Sequence, residues 1–429
     1  MALEASGIKR QKIKIKKIFD DHWEKFWPEN KEKYPKEMHE SIEEAVEKML
    51  GCGDYKNGYV VYRCTSCGQG EVKIAFSCKG RFCPRCGKVY IDRWVEKTLE
   101  TIVEREHRHI YFTIPDSLYR FFYWNRELLK EMSDLAAETI QEVMQKYLER
   151  KGEKVIPMPG IITVVHTFSR NMKYKPHVHA LLAIGAIDKE NKEWVEFPYL
   201  PFKWIHKVWQ YKILTMLQEK YKEKWAKEIF DACWQKYKQG FVVELRDPLV
   251  NARKAAQYIG RYLGRPAIAE HRIISYDGEN VTFCYKDLKS GEIKDETLSA
   301  KEFIGRLIMH IPKKHFQMVS RYGFYARCIS EVVKEVLKKI KRCVQQVFAF
   351  VVKGEKKSWR DRIIEAFHKD PIKCPYCGDE MEIWQIWDPK YGLIYDFIRD
   401  DTVKSEKASP EKVKEENSSG YYQLCMPFM

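Results

Sequence analysis

Apolar positions recur at two different periods along this chain, and the changes of period divide it. From Ile13 to Trp27 apolar and basic residues alternate at helical spacing, and Ser41-Ile-Glu-Glu opens like a capping box ahead of a second helical run. Gly51, Gly53 and Gly58 end that run, a cysteine-rich block extends to about Tyr90, and a helix is predicted from Ile91 to Arg105. His109-Ile-Tyr-Phe-Thr-Ile reads as a strand stopped by Pro115, and a long helical stretch follows to about Arg150. The centre changes character. Gly160-Ile-Ile-Thr-Val-Val-His-Thr-Phe and Val178 to Ile187 are short apolar runs of the kind that buried strands show.

Beyond them, a helical region rich in Trp, Tyr and Lys spans Phe202 to about Lys238, and Phe241 to Leu245 reads as a strand. Asp247-Pro248 opens a helix from Leu249 to Leu263 that ends near Gly264 and Pro266. His271 to Ser275 and Val281 to Tyr285 form a hairpin pattern around an Asp277-Gly278 turn. The remainder reads as helical to about His368, then carries a short CxxC element and a polar tail expected to be disordered. No internal repeat is visible. The order predicts an α+β protein with a helical arm over 1–50, a cysteine domain over 51–107 and a central domain over 108–330 with a helical insertion at about 201–238. A helical region over 331–399 and a tail over 400–429 complete the partition.

Charge narrows the partner. Across 429 residues, 76 Lys and Arg face 61 Asp and Glu, a formal excess of +15 that points to a polyanion. No apolar run approaches the roughly 20 residues of a spanning helix, and the first residues lack the apolar core of a signal peptide. The expectation is a soluble cytoplasmic protein that binds nucleic acid, not a membrane. Lys203-Trp204 through Lys212, and Tyr221 through Lys238, interleave cations with aromatics as single-strand binding surfaces do, although a solvated basic helix face explains the same pattern.

Of thirteen cysteines, six sit in three CxxC pairs, a pattern of metal thiolates in a reducing compartment. Cys64-Thr-Ser-Cys67 and Cys83-Pro-Arg-Cys86 lie 15 residues apart, the spacing of a zinc ribbon, with Cys52 and Cys78 as alternative ligands. Cys374-Pro-Tyr-Cys377 is half a site, completed by Cys328 or Cys343 or holding no metal.

Pro176-His177-Val178-His179 puts two imidazoles on one strand face with Val178 turned to the core. With oxygen ligands and a phosphate substrate, Mg²⁺ or Mn²⁺ suits such a pair. Tyr258 and Tyr262 share one face of the predicted helix, with Arg253, Lys254, Arg261 and Arg265 around them. Two aromatics at this spacing usually pack on a core. The basic surroundings favour a different use, because a tyrosine hydroxyl can attack a phosphodiester when a cation polarises the phosphate.

The order of zinc knuckles, FTIP strand, His-Thr-Phe…Pro-His-x-His and Tyr-x-x-x-Tyr resembles the rolling-circle HUH transposases of the IS91 type, relatives of Helitron transposases and of HUH replication initiators. Phe283-Cys-Tyr-Lys-Asp, Glu302 through Pro312, Arg321-Tyr-Gly-Phe-Tyr325 and the Cys374 knuckle extend the resemblance to roughly residues 50–385. It implies an HUH nuclease domain with a central antiparallel sheet flanked by helices, joined to an N-terminal zinc ribbon. It also implies nicking and rejoining of single-stranded DNA at insertion-sequence ends through a 5′-phosphotyrosine, with hairpin or duplex DNA read at those ends. Tyr258 and Tyr262 become the nucleophiles and His166 the third metal ligand, with Gln257 competing for that place. Lys254, Arg261, Arg265 and Arg321 become DNA contacts. Two readings stay open beside it: a plasmid or phage initiator or relaxase with the same chemistry, and a non-catalytic zinc-ribbon DNA-binding protein.

Overall fold

In the computed structural model the described residues are 14–400, apart from 198–199, 250, 264–266, 288–289, 330, 332, 340–357, 359, 362–363 and 365–369. The helices are α1 (Ile15–Asn30), α2 (His39–Leu50), α3 (Pro84–Leu99), α4 (Tyr119–Trp124), α5 (Leu128–Lys151), α6 (Phe202–Lys220), α7 (Lys224–Lys236), α8 (Ala252–Leu263) and α9 (Ala300–Ile308). The strands are β1 (Tyr59–Arg63), β2 (Glu71–Ala75), β3 (His107–Thr113), β4 (Pro157–Phe168), β5 (Tyr174–Asp188), β6 (Trp194–Val195), β7 (Val243–Leu245), β8 (Ile273–Tyr276), β9 (Asn280–Lys286), β10 (Ile293–Ser299), β11 (Val319–Gly323), β12 (Glu382–Asp388) and β13 (Gly392–Asp396). The fold class is α+β.

The chain divides into two units, residues 1–44 with 88–352 and residues 45–87 with 353–429. In the first unit an antiparallel sheet runs in the order β11-β4-β5-β3-β7, with β6 added on β5. Its long central strands are buried on both faces, which is why they read as almost continuous apolar runs. Parity sorts their side chains. Ile161, Val165, Val178, Ala180, Leu182, Ile110 and Phe112 enter one core with α5 and α6, where Trp209 packs on Phe112 at 5.0 Å and donates its Nε1–H to the Thr113 carbonyl. Ile162, Val164, Leu181 and Ala183 enter a second core with Ala252, Ala255 and Ile259 of α8. A shift of one residue in any central strand would exchange the two sets.

Gly160 lies inside β4 instead of bounding it, next to a register irregularity. A Cβ there would stand 2.2 Å from the Phe324 ring, so only glycine admits the aromatic of the segment after β11. The predicted hairpin forms as β8 and β9, with Asp277 accepting the backbone N–H groups of Glu279 and Asn280 and Gly278 at φ +102. It gains a third strand, β10, that the pattern did not reveal.

The second unit holds a four-stranded antiparallel sheet in the order β13-β12-β1-β2. β1 pairs with β2 on one side and with β12 on the other, so the cysteine block and the C-terminal CxxC share one sheet. The helical reading of 331–399 is corrected here: Glu382–Asp388 and Gly392–Asp396 are strands. The alternation of Ile383, Gln385 and Trp387, closed by Pro389 and Gly392, is a hairpin signal that the surrounding helical pattern hid. The tail predicted to be disordered lies, from residue 401 on, outside the described residues.

Candidate active site

Register builds the site. On β4 and β5, His166 stands directly across from His177, and Val164 across from His179. All three histidines fall on the strand face that packs toward α8, because Val165 and Val178 between them take the opposite face. Their ring nitrogens lie within 4.8 Å of one another, and all three side chains are buried. Three imidazoles at that separation could serve as a donor set for one divalent cation. His177 donates its Nδ1–H to the Lys175 carbonyl at 2.6 Å, which fixes its tautomer and leaves its Nε2 lone pair available. Burial, reinforced by the neighbouring imidazoles, lowers the pKa of His177 and His179 well below the usual histidine value, so both stay neutral.

A fourth histidine, absent from the sequence reading, connects this cluster to the tyrosine. His109, on β3, holds its Nε2 at 2.9 Å from His179 Nδ1 and its Nδ1 at 3.3 Å from the Tyr258 hydroxyl. Burial, with help from Arg246, lowers its pKa to about 3. Arg246, just past β7, donates from a guanidinium nitrogen to the same hydroxyl at 3.2 Å. A signal for His109 existed: His107-Arg-His109 is a second H-x-H pattern, read only as the start of an apolar strand. Its partner His107 is structural, donating Nδ1–H to the Arg105 carbonyl and accepting the Tyr325 hydroxyl at 2.7 Å.

Tyr258 is half-buried at the margin of the α8 face formed by Ala255 and Ile259, while Arg253, Lys254 and Gln257 are exposed. His166 occupies the third position of the cluster, whereas Gln257 projects on the exposed side of α8. Tyr262 and Arg261 belong to α8, but their side chains, like residue Arg265 as a whole, lie outside the described residues. Arg321 makes two side-chain hydrogen bonds within the protein. Its guanidinium turns inward to the hydroxyls of Thr98 at 2.9 Å and Thr101 at 2.7 Å, and burial lowers its pKa.

Eight cysteines form two groups, both in the second unit. Cys52, Cys78, Cys83 and Cys86 make one, Cys64, Cys67, Cys374 and Cys377 the other. The ribbon expected from spacing, Cys64 and Cys67 with Cys83 and Cys86, is thus not what forms. The reason is local: Cys64 and Cys67 sit on the β1–β2 turn, while Cys83 and Cys86 open α3, against which Cys52 and Cys78 lie at 3.6 Å from Cys86. Cys328 is exposed and belongs to neither group, and Cys343 lies outside the described residues.

Two families match the chain: one described as "Putative transposase" over residues 160–332 and one as "Transposase zinc-binding domain" over 18–114. The transposase for insertion sequence element IS801 of Pseudomonas savastanoi pv. phaseolicola is 30% identical over 352 residues, covering 79% of this chain and 82% of that protein. The chain belongs to the IS91 family of transposases. A "Putative transposase y4qJ" of Sinorhizobium fredii (strain NBRC 101917 / NGR234) is 25% identical over 366 residues, 79% of this chain and 89% of that one. No solved structure matches. The histidines of β4 and β5 and Tyr258 fall inside the transposase match. The group Cys52, Cys78, Cys83 and Cys86 falls wholly inside the zinc-binding match, and four converging thiols suit Zn²⁺. As an IS91-family transposase the protein acts on DNA. No helix among the described residues is long and apolar enough to cross a membrane.

Proposed function

We propose that this transposase nicks and rejoins single-stranded DNA at the ends of its insertion sequence through a 5′-phosphotyrosine on Tyr258, with a divalent cation held by His166, His177 and His179. The observation that carries the reading is the continuous path from the histidine cluster through His109 to the Tyr258 hydroxyl, at 2.9 and 3.3 Å.

The donor set fits a metal. With His177 committed to the Lys175 carbonyl through Nδ1, its Nε2 is the nitrogen left to bind a cation. His179 presents Nε2 as well when its Nδ1–H donates to His109. Of Mg²⁺ and Mn²⁺, the second tolerates imidazole better. A bound cation supplies positive charge beside the scissile phosphate. The remaining work falls to the chain. His109, having accepted from His179, carries its own proton on Nδ1 and points it at the Tyr258 oxygen. Arg246 aims a guanidinium at that oxygen too. Both donors stabilise negative charge on the phenol oxygen, as it attacks and again as it leaves.

In the forward step the Tyr258 hydroxyl loses its proton to water, its oxygen bonds to phosphorus, and the bond from phosphorus to the 3′ oxygen breaks; that oxygen takes one proton from water and departs as a 3′-OH. Attack of a 3′-OH on the phosphotyrosine reverses this and joins DNA, so no external energy source is needed. Tyr262, one turn further on the same helix, is the acceptor for a second strand.

The test incubates the protein with Mn²⁺ and labelled single-stranded DNA from its own element ends. A covalent adduct that disappears in Tyr258→Phe and survives in Tyr262→Phe supports this assignment. An adduct that persists in the double variant, or none with wild type, overturns it.

A further inference from the structure

We propose that Cys64, Cys67, Cys374 and Cys377 bind a second structural zinc ion that clasps two chain-distant hairpins into one zinc ribbon. The zinc-binding match ends at residue 114, so half of this site lies far outside it.

The two halves are copies of one local structure. After Cys64-x-x-Cys67 comes Gly68 at φ +68, whose N–H donates to the Cys64 carbonyl, and the Cys64 N–H donates to the Gly70 carbonyl. After Cys374-x-x-Cys377 comes Gly378 at φ +82, whose N–H donates to the Cys374 carbonyl, and the Cys374 N–H donates to the Asp379 carbonyl. Each is a metal knuckle at a turn, with glycine where the left-handed backbone requires it. Each stands at the end of a strand, β1 for the first and β12 for the second, and those strands pair from Tyr59↔Trp387 to Arg63↔Glu382. The strand pairing therefore brings two knuckles together as a ribbon does. Cys83-Pro-Arg-Cys86 is of another kind, because its second half already lies in α3.

The sulfur geometry fits a metal and not a disulfide. Cys64 and Cys377 are 3.5 Å apart and Cys67 and Cys374 are 3.6 Å apart. A zinc tetrahedron with bonds of about 2.3 Å has edges of about 3.8 Å, whereas a disulfide needs about 2.05 Å. Backbone N–H groups of Gln69 and Gly70 point at the Cys67 sulfur, an arrangement that favours thiolate. Gly70 packs directly against the group: a Cβ on it would stand 2.5 Å from the Cys374 sulfur and 3.2 Å from the Cys64 Cβ. The core here is small, with Cys64 and Cys374 packed among Val60, Tyr62, Ile74, Met381 and Ile386. A core of that size needs a staple.

The full-length wild-type chain is expected to carry two zinc ions by elemental analysis. Cys374→Ser/Cys377→Ser and Cys64→Ser/Cys67→Ser each lose one, and combining both pairs loses no more, because the pairs serve a single site. The ion retained in Cys52, Cys78, Cys83 and Cys86 reports that the variants are still folded there. Wild-type protein offers a second measurement without mutation: stepwise chelation with alkylation and mass spectrometry. The four clasp cysteines should become reactive as one set, separate from the other four. A Cys374→Ser/Cys377→Ser chain that keeps two zinc ions overturns the clasp. So does co-exposure of Cys64 and Cys67 with Cys83 and Cys86 while Cys374 and Cys377 react from the start.

Discussion

The histidine cluster and the cysteine groups both gather metal-ready side chains, yet they are assembled in opposite ways. His166, His177 and His179 are held by the register of two long strands inside a double-sided core, so their convergence is a by-product of sheet formation. The cysteines come from turns, a helix start and loops around a core of a few residues. On the proposed function, the histidine cluster would hold a metal for chemistry and the cysteine groups metals for folding. A site preformed by strands can lose its ion and keep its shape. A site made of turns has little shape to keep.

That contrast breaks or sharpens under four perturbations. The largest effect is expected from Cys83→Ser/Cys86→Ser, which removes binding free energy on the order of 10 kcal/mol from the second unit. Circular dichroism and limited proteolysis should report loss of the β1–β2–β12–β13 region; a protein that keeps that region intact after zinc loss would erase the contrast. Next comes His179→Ala. Adduct formation should fall about a thousandfold, or roughly 4 kcal/mol of transition-state stabilisation, while the thermal midpoint of the first unit moves by only a few degrees. Chelating the wild type should mimic this and reverse on adding Mn²⁺.

His109→Ala should cost about ten- to a hundredfold in cleavage rate, measured by single turnover. His109→Asn, which can keep a donor near Tyr258, should recover more of the rate than His109→Gln. Equal rates for the three variants would make His109 a packing residue. The smallest effect concerns pH. Burial lowers the pKa of His107 to about 4 and that of His310 to about 3. The unfolded chain, with ordinary values near 6.5, then binds more protons than the folded one below that pH. Stability is therefore complete above about pH 6.5 and declines as pH falls toward 4. His107→Gln should flatten part of that slope in denaturant titrations, and an unchanged slope would remove His107 as its source.

Much of the histidine and tyrosine arrangement was legible in the residues. The H-x-H pair lies on a strand whose middle residue is core, and Tyr258 lies at the margin of a helix face made of Ala252, Ala255 and Ile259, because period alone determines these faces. His109 was not legible: a buried histidine in an apolar strand looks the same whether it packs or relays. Arg246 was hidden too, since only the β3–β7 pairing brings it to Tyr258. The cysteine half misled for a different reason. Spacing ranks ligand pairs by distance along the chain, and β1 takes as its neighbour a strand more than 300 residues away, with Cys64 beside Cys377 at a separation of 313. Short strands after a helical pattern, such as β12 and β13, carry too few residues for their alternation to stand out.

That separation of 313 residues also sets a schedule. During synthesis at about 5–20 residues per second, the first knuckle waits roughly 15–60 s for its counterpart. The histidine strands and the tyrosine helix are already made by then. A truncated product, or a ribosome stalled before Cys374, would carry the histidine cluster and Tyr258 while Cys64 and Cys67 still lacked their counterpart knuckle.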